Sequence, residues 1–194
     1  VVNVVFDTVA GASINAGGMT SAPAINISNS NKDAAASLSV TNLKNGSIVN
    51  VEDFNRLSVA GSEDADVTLV APLAESKADG IVSGSGNLTI IAGKVLTVTT
   101  SAERGNTTAN TEKATSFTAS STTGDITLIS SDNAYTRAVS TMGGNITIDT
   151  PLADRVLAST VASGSVVVIA EGDSGIKATG NSIAINLQNK DTSN

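Results

Sequence analysis

Gly124-Asp125-Ile126-Thr127-Leu128-Ile129-Ser130 returns twenty residues later as Gly144-Asn145-Ile146-Thr147-Ile148-Asp149-Thr150, and again as Gly164-Ser165-Val166-Val167-Val168-Ile169-Ala170. A fixed period of this kind is the mark of a repeat architecture, in which each unit buries its apolar face against the next. The pattern extends upstream through Gly105-Asn106, Gly86-Asn87-Leu88-Thr89-Ile90 and Gly46-Ser47-Ile48. Ala65-Asp66-Val67-Thr68-Leu69 fills one register without glycine, and Gly180-Asn181-Ser182-Ile183 follows downstream at a shortened step.

Within each heptamer the side chains alternate with period two, as in a strand. Ile126, Leu128 and Ser130 share one face, and so do Ile146, Ile148 and Thr150. That face reads large, large, small and is the expected core. A unit of about 20 residues matches one coil of a parallel β-solenoid, each strand pairing with its equivalent about 4.8 Å away. The expected fold is all-β, a single parallel β-solenoid with about 20-residue coils. A β-sandwich of a filament or virion protein is the alternative. The expected organisation is one domain over residues 1–194. It comprises an amino-terminal strand and first coil (1–33), the solenoid coils (34–187) and a polar tail (188–194).

Three further local expectations follow. The corner glycine is read as a φ > 0 position, where a Cβ would clash, and the Asx beside it as a turn residue. Asn87, Asn106, Asp125 and Asn145 then stack as a side-chain ladder. A second short strand is read at Phe117-Thr118-Ala119, Arg137-Ala138-Val139, Leu157-Ala158-Ser159 and Lys177-Ala178-Thr179, with the small middle residues inward. Residues 102–116 are read as a looped or locally helical excursion, because Thr107-Thr108-Ala109-Asn110 lacks the apolar pattern.

The Gly-[Asn/Asp]-[Ile/Leu]-Thr-[Ile/Leu] units resemble coils of bacterial filamentous-haemagglutinin-type adhesins, and also the Ser/Thr/Gly/Ala-rich solenoids of surface-layer proteins. The resemblance covers about residues 46–187. It implies an extracellular or cell-surface location, a rod-like shape and non-catalytic display.

Composition narrows the chemistry. Of 194 residues 40% are apolar but only 2% aromatic, so the core must be built from Val, Ile, Leu and Ala. There is no Cys and no His, which removes disulfides, thiolate or imidazole metal sites and nucleophile–histidine pairs. The net charge is −7 with scattered basic residues, so a nucleic-acid face is not expected. No apolar run approaches a membrane span. Glu63, Asp64 and Asp66 are candidate calcium ligands, as hard oxygen donors, or simply a solvated acidic corner. Asp149, Asp154, Glu171 and Asp173 are candidates to converge across coils for sugar hydrolysis, which needs two opposed carboxyls. An outward column of Thr68, Thr89, Thr127 and Thr147 invites an ice-binding reading, which the apolar neighbouring column weakens.

That neighbouring column, Val70, Ile91, Ile129 and Ile169, is apolar where a solvated face would be polar, so a covered face is expected. The amino end is also strand-like, with Val2, Val4 and Phe6 in alternation, and a solenoid end exposes unpaired strand edges. Together these residues are the expected assembly elements. The function read from the sequence is a non-enzymatic extracellular structural or adhesive module, self-associating into a surface layer, filament or adhesin rod. Its expected partners are further copies of itself and a cell-surface glycan or host receptor, with no cofactor other than an optional calcium. A viral fibre or capsid-associated protein is the alternative, and a carbohydrate-active β-helix enzyme is the alternative of a different class.

Overall fold

The computed structural model describes residues 1–19, 24–32, 36–62, 64–93, 96–112, 114–130, 134–141, 144–149, 157–162, 165–171, 175–179 and 182–188. Every element among them is a β-strand. In chain order these begin β1 (Val2–Phe6), β2 (Gly11–Asn15), β3 (Ala24–Asn29), β4 (Ser37–Leu43), β5 (Ser47–Glu52) and β6 (Arg56–Gly61). Next come β7 (Val67–Ala71), β8 (Lys77–Val82), β9 (Leu88–Ala92), β10 (Leu96–Ala102), β11 (Thr107–Thr111) and β12 (Ala114–Ser121). The last are β13 (Ile126–Ser130), β14 (Ala134–Thr141), β15 (Ile146–Asp149), β16 (Leu157–Ala162), β17 (Ser165–Glu171), β18 (Gly175–Thr179) and β19 (Ser182–Gln188).

Odd-numbered strands stack in order as a ten-stranded first sheet, and even-numbered strands as a nine-stranded second sheet. All pairings are parallel, each strand bonding to its equivalent one coil away. The chain is a parallel β-solenoid, as its period requires. Ten rungs at about 4.8 Å make a rod roughly 43 Å long.

The core is the space between the two sheets. Apolar side chains stack inward in columns, such as Leu69, Ile90, Ala109, Leu128 and Ile148 from the first sheet, all fully buried. Burying thin β-branched and aliphatic side chains in layers is the main stabilising term of such a rod. Among the few aromatics, Phe6 meets Phe54 edge to face at 6.0 Å.

Four expectations need correction. First, Gly86, Gly105, Gly124 and Gly144 are not at positive φ; among the described residues the glycines so placed are Gly46 and Gly84. What forbids a side chain at the stacked corner is the coil beneath. A Cβ on Gly124 would run into the carbonyl oxygen of Gly105, and one on Gly144 into that of Gly124. Second, residues 102–112 and 114–116 are no excursion. Thr107–Thr111 is an ordinary rung, with Thr107 opposite Leu88 and Ile126, and Ala109 opposite Ile90 and Leu128. Its inward hydroxyls on Thr107 and Thr111 are buried without a hydrogen-bond partner, which makes this the most polar layer of the first-sheet core.

Third, the small middle residues of the second strand do not form an inward column. Phe117 and Ala119 are buried while Thr118 between them faces out. The register pairs Thr118 with Ala138 but Thr160 with Ala178, so the four triplets are not in step. Fourth, Gly46 is not equivalent to Gly86. Ser47, not Ile48, pairs with Val67 and is buried, while Ile48 is 44% exposed. One residue of slip turns every side chain to the opposite face.

Candidate assembly face

The outer surface of the first sheet carries two stacked columns. In one, Ile48 is followed by Thr68, Thr89, Thr108, Thr127 and Thr147, one per rung. In the other, two residues along each strand, Asn50 is followed by Val70, Ile91, Asn110, Ile129 and Asp149. From Ile48 and Asn50 up to Thr127 and Ile129, neither column contains a charge. The charges of this face lie at its margins, on exposed Asp66 and Asp125 at one side and Glu52 at the other, and leave these two columns bare between them. Ile91 and Ile129 are each 37% exposed, and Val70 is half-buried.

The expected apolar column is therefore real but interrupted, by Asn110 and Asp149. Ile169 lies opposite Asp149 in β17, at the register position that continues it. Thr108 and Ile48 belong to this face and were not anticipated. Thr108 follows Asn106 by two residues, just as Thr127 follows Asp125, so the signal for it was present. Toward the amino end the apolar column gives way to an amide ladder, with Asn26 Nδ2 donating to Asn3 Oδ1 and Asn50 Nδ2 to Asn26 Oδ1, each at 3.0 Å.

Val2, Val4 and Phe6 point inward in β1, which pairs in register with β3 from Val2 opposite Ile25 to Phe6 opposite Asn29. They are only half-buried, because no coil covers them on the far side among the described residues. Ala12, Ile14 and Met19 are in the same condition.

The Gly-Asx corner forms the expected ladder, in a different bonding pattern. Each Asx side chain accepts from the backbone of the next coil. Asp66 N–H donates to Asn45 Oδ1, Asn87 N–H to Asp66 Oδ1, Asn106 N–H to Asn87 Oδ1, Asp125 N–H to Asn106 Oδ1 and Asn145 N–H to Asp125 Oδ1, at 2.8–3.0 Å. This satisfies backbone donors that the turn leaves outside the sheet.

The calcium candidates are held by the same device. Asp66 serves the ladder, and Asp64 Oδ1 accepts from both the N–H and the hydroxyl of Ser85 at 2.8 Å. The Ser85 backbone bond, then its hydroxyl, then the attraction of Arg104 hold the Asp64 carboxyl below the usual aspartate range. Glu63 lies outside the described residues. No group of three or more acidic side chains placed to hold a metal occurs among the described residues. Of the acids considered for sugar hydrolysis, Asp149 and Glu171 lie on adjacent rungs of the first sheet, while Asp154 and Asp173 fall outside the described residues.

No helix among the described residues is long and apolar enough to cross a membrane. Compared with known proteins, the chain matches no family model, no curated protein and no solved structure.

Proposed function

We propose that the chain is a non-enzymatic structural or adhesive module of a cell surface, and that copies associate side by side through the outer face of the first sheet. The observation that carries this is the uncharged run of Thr, Ile, Val and Asn across five consecutive rungs, with Ile48, Ile91 and Ile129 exposed within it. A flat β-branched surface loses little conformational entropy on being covered and releases water when a second such surface meets it. The likeness of the repeat units to adhesin and surface-layer coils supports the extracellular placement.

The size of the face sets the mode of assembly. Five rungs by one strand length cover roughly 350 Å², well under the ~800 Å² per partner of a stable dimer. A single contact of this kind is weak, and strength comes from repetition in an array or along a longer rod. Association is therefore expected to be concentration-dependent and without a tight dimer. Sedimentation velocity across a wide concentration range tests this. The wild-type chain is expected to show growing species, and Ile91→Lys with Ile129→Lys to remain monomeric at every concentration. A wild-type chain that stays monomeric throughout, or a double variant that associates equally well, would sink the proposal.

A further inference from the structure

The opposite flank of the rod holds a different surface. A shallow groove of about 800 Å³ runs over the outer face of the second sheet, from β2 to β10. Two cations lie side by side in it. Arg56 and Lys77 are Cα partners on adjacent strands, so their side chains leave the same face one rung apart. Like charges directly opposite each other are unfavourable in a sheet. In a chain of net charge −7, their juxtaposition is not a consequence of a basic composition.

Their charges are answered unequally. Lys77 Nζ makes an ion pair with Asp79 Oδ2 at 2.9 Å, two residues along the same strand. Arg56 is exposed, and its guanidinium makes no hydrogen bond or ion pair among the described residues. In the next outward column Ser13, Ser39, Ser58 and Asp79 stack rung upon rung, presenting hydroxyls and a carboxylate along the groove. The groove thus offers one uncompensated guanidinium, a tethered ammonium, and a line of short hydrogen-bonding groups repeating along the rod.

We infer that this groove binds a linear acidic polysaccharide, its carboxylate or sulfate on Arg56 and its hydroxyls along the serine column. The open, shallow form suits an extended chain lying across several rungs rather than an enclosed small molecule. A planar guanidinium pairs with a carboxylate or sulfate by two parallel hydrogen bonds. Two cations are too few for a nucleic-acid backbone, which needs many phosphate contacts. This narrows the adhesive part of the proposed function to a ligand class.

Affinity electrophoresis of the full chain through gels containing polygalacturonate, chondroitin sulfate, dextran or polyglutamate tests it. Retardation is expected with one or both acidic glycans, the pair distinguishing a carboxylate source from a sulfate source, and none with dextran. Arg56→Ser with Lys77→Thr should lower apparent affinity at least about tenfold, and Arg56→Lys should retain part of it. The double variant places at 56 and 77 the residue types that the same column already holds at Ser37 and Thr97, so the fold has a precedent for both. Its sedimentation should match that of the wild type, which separates a failed groove from failed lateral assembly. Absence of retardation by both acidic glycans, equal retardation by dextran or polyglutamate, or undiminished binding by the double variant would each overturn the inference.

Discussion

Gly46 and Gly124 each open a Gly-Xaa-Ile segment at the same edge of the rod, yet they are glycines for different reasons. Gly46 has φ 80°, a left-handed conformation that a side chain resists. Gly124 has no such φ, but its Cα rests so closely on the Gly105 peptide that a Cβ would enter the carbonyl. The first is a property of one turn, and the second is a property of stacking two coils. The stacked reason repeats through Gly86, Gly105, Gly124 and Gly144, whereas Ala65, which begins that column, carries its Cβ fully buried. A shared letter in a repeat therefore need not mean a shared backbone.

This contrast predicts unequal responses to the same substitution. Gly124→Ala forces the backbone of two coils apart and is expected to destabilise by about 3 kcal/mol or more, read from urea unfolding. A loss below ~1 kcal/mol would show that the stack can relax and that the close approach is not restrictive. Gly46→Ala should lose only about 1 kcal/mol. Gly46→Asn should lose less still, since Asn tolerates the left-handed region. Equal losses for Gly46→Ala and Gly46→Asn would break the assignment of Gly46 to backbone strain.

The smallest effect concerns the acidic corner between them. The folded Asp64 carboxyl titrates below its ordinary range because of Ser85. A lowered folded pKa contributes stability above the unfolded pKa, and that contribution fades as pH falls through the folded one. Asp64→Asn should therefore lose a little stability at neutral pH, where that contribution is present, and flatten the acid limb of the profile so that variant and parent converge below about pH 4. A marked loss at pH 7, together with stabilisation by added calcium of the parent chain but not of the variant, would instead identify a structural metal.

How much of this was legible in the sequence differs between the sheets. From β7 to β17 the first sheet keeps the register that the spacing of its units gives, so the alternation of Ile126, Leu128 and Ser130 could be read directly. The second sheet carries irregularities at Val40/Leu43, Leu96/Thr97 and Ala114/Phe117. Each uncouples spacing from register, which is why the phase of Phe117-Thr118-Ala119 differs from its reading in the sequence. Arg56 and Lys77 pair without a shift, but no repeated pattern of the second sheet marks them as neighbours. The rung Thr107–Thr111 was missed for another reason. Its apolar signal is weak, and its place is held by backbone pairing on both sides and by the Asn106 ladder, not by its own side chains.

The direction of that ladder has an engineering consequence. Each coil supplies the side-chain acceptor, and the donor common to every rung is the backbone N–H of the coil after it, which any residue but proline possesses. A duplicated unit spliced between two coils would thus arrive with everything needed to be received and to receive. The length of such a rod can then grow or shrink by whole units without redesign of its neighbours, and reach becomes a trait that recombination can tune.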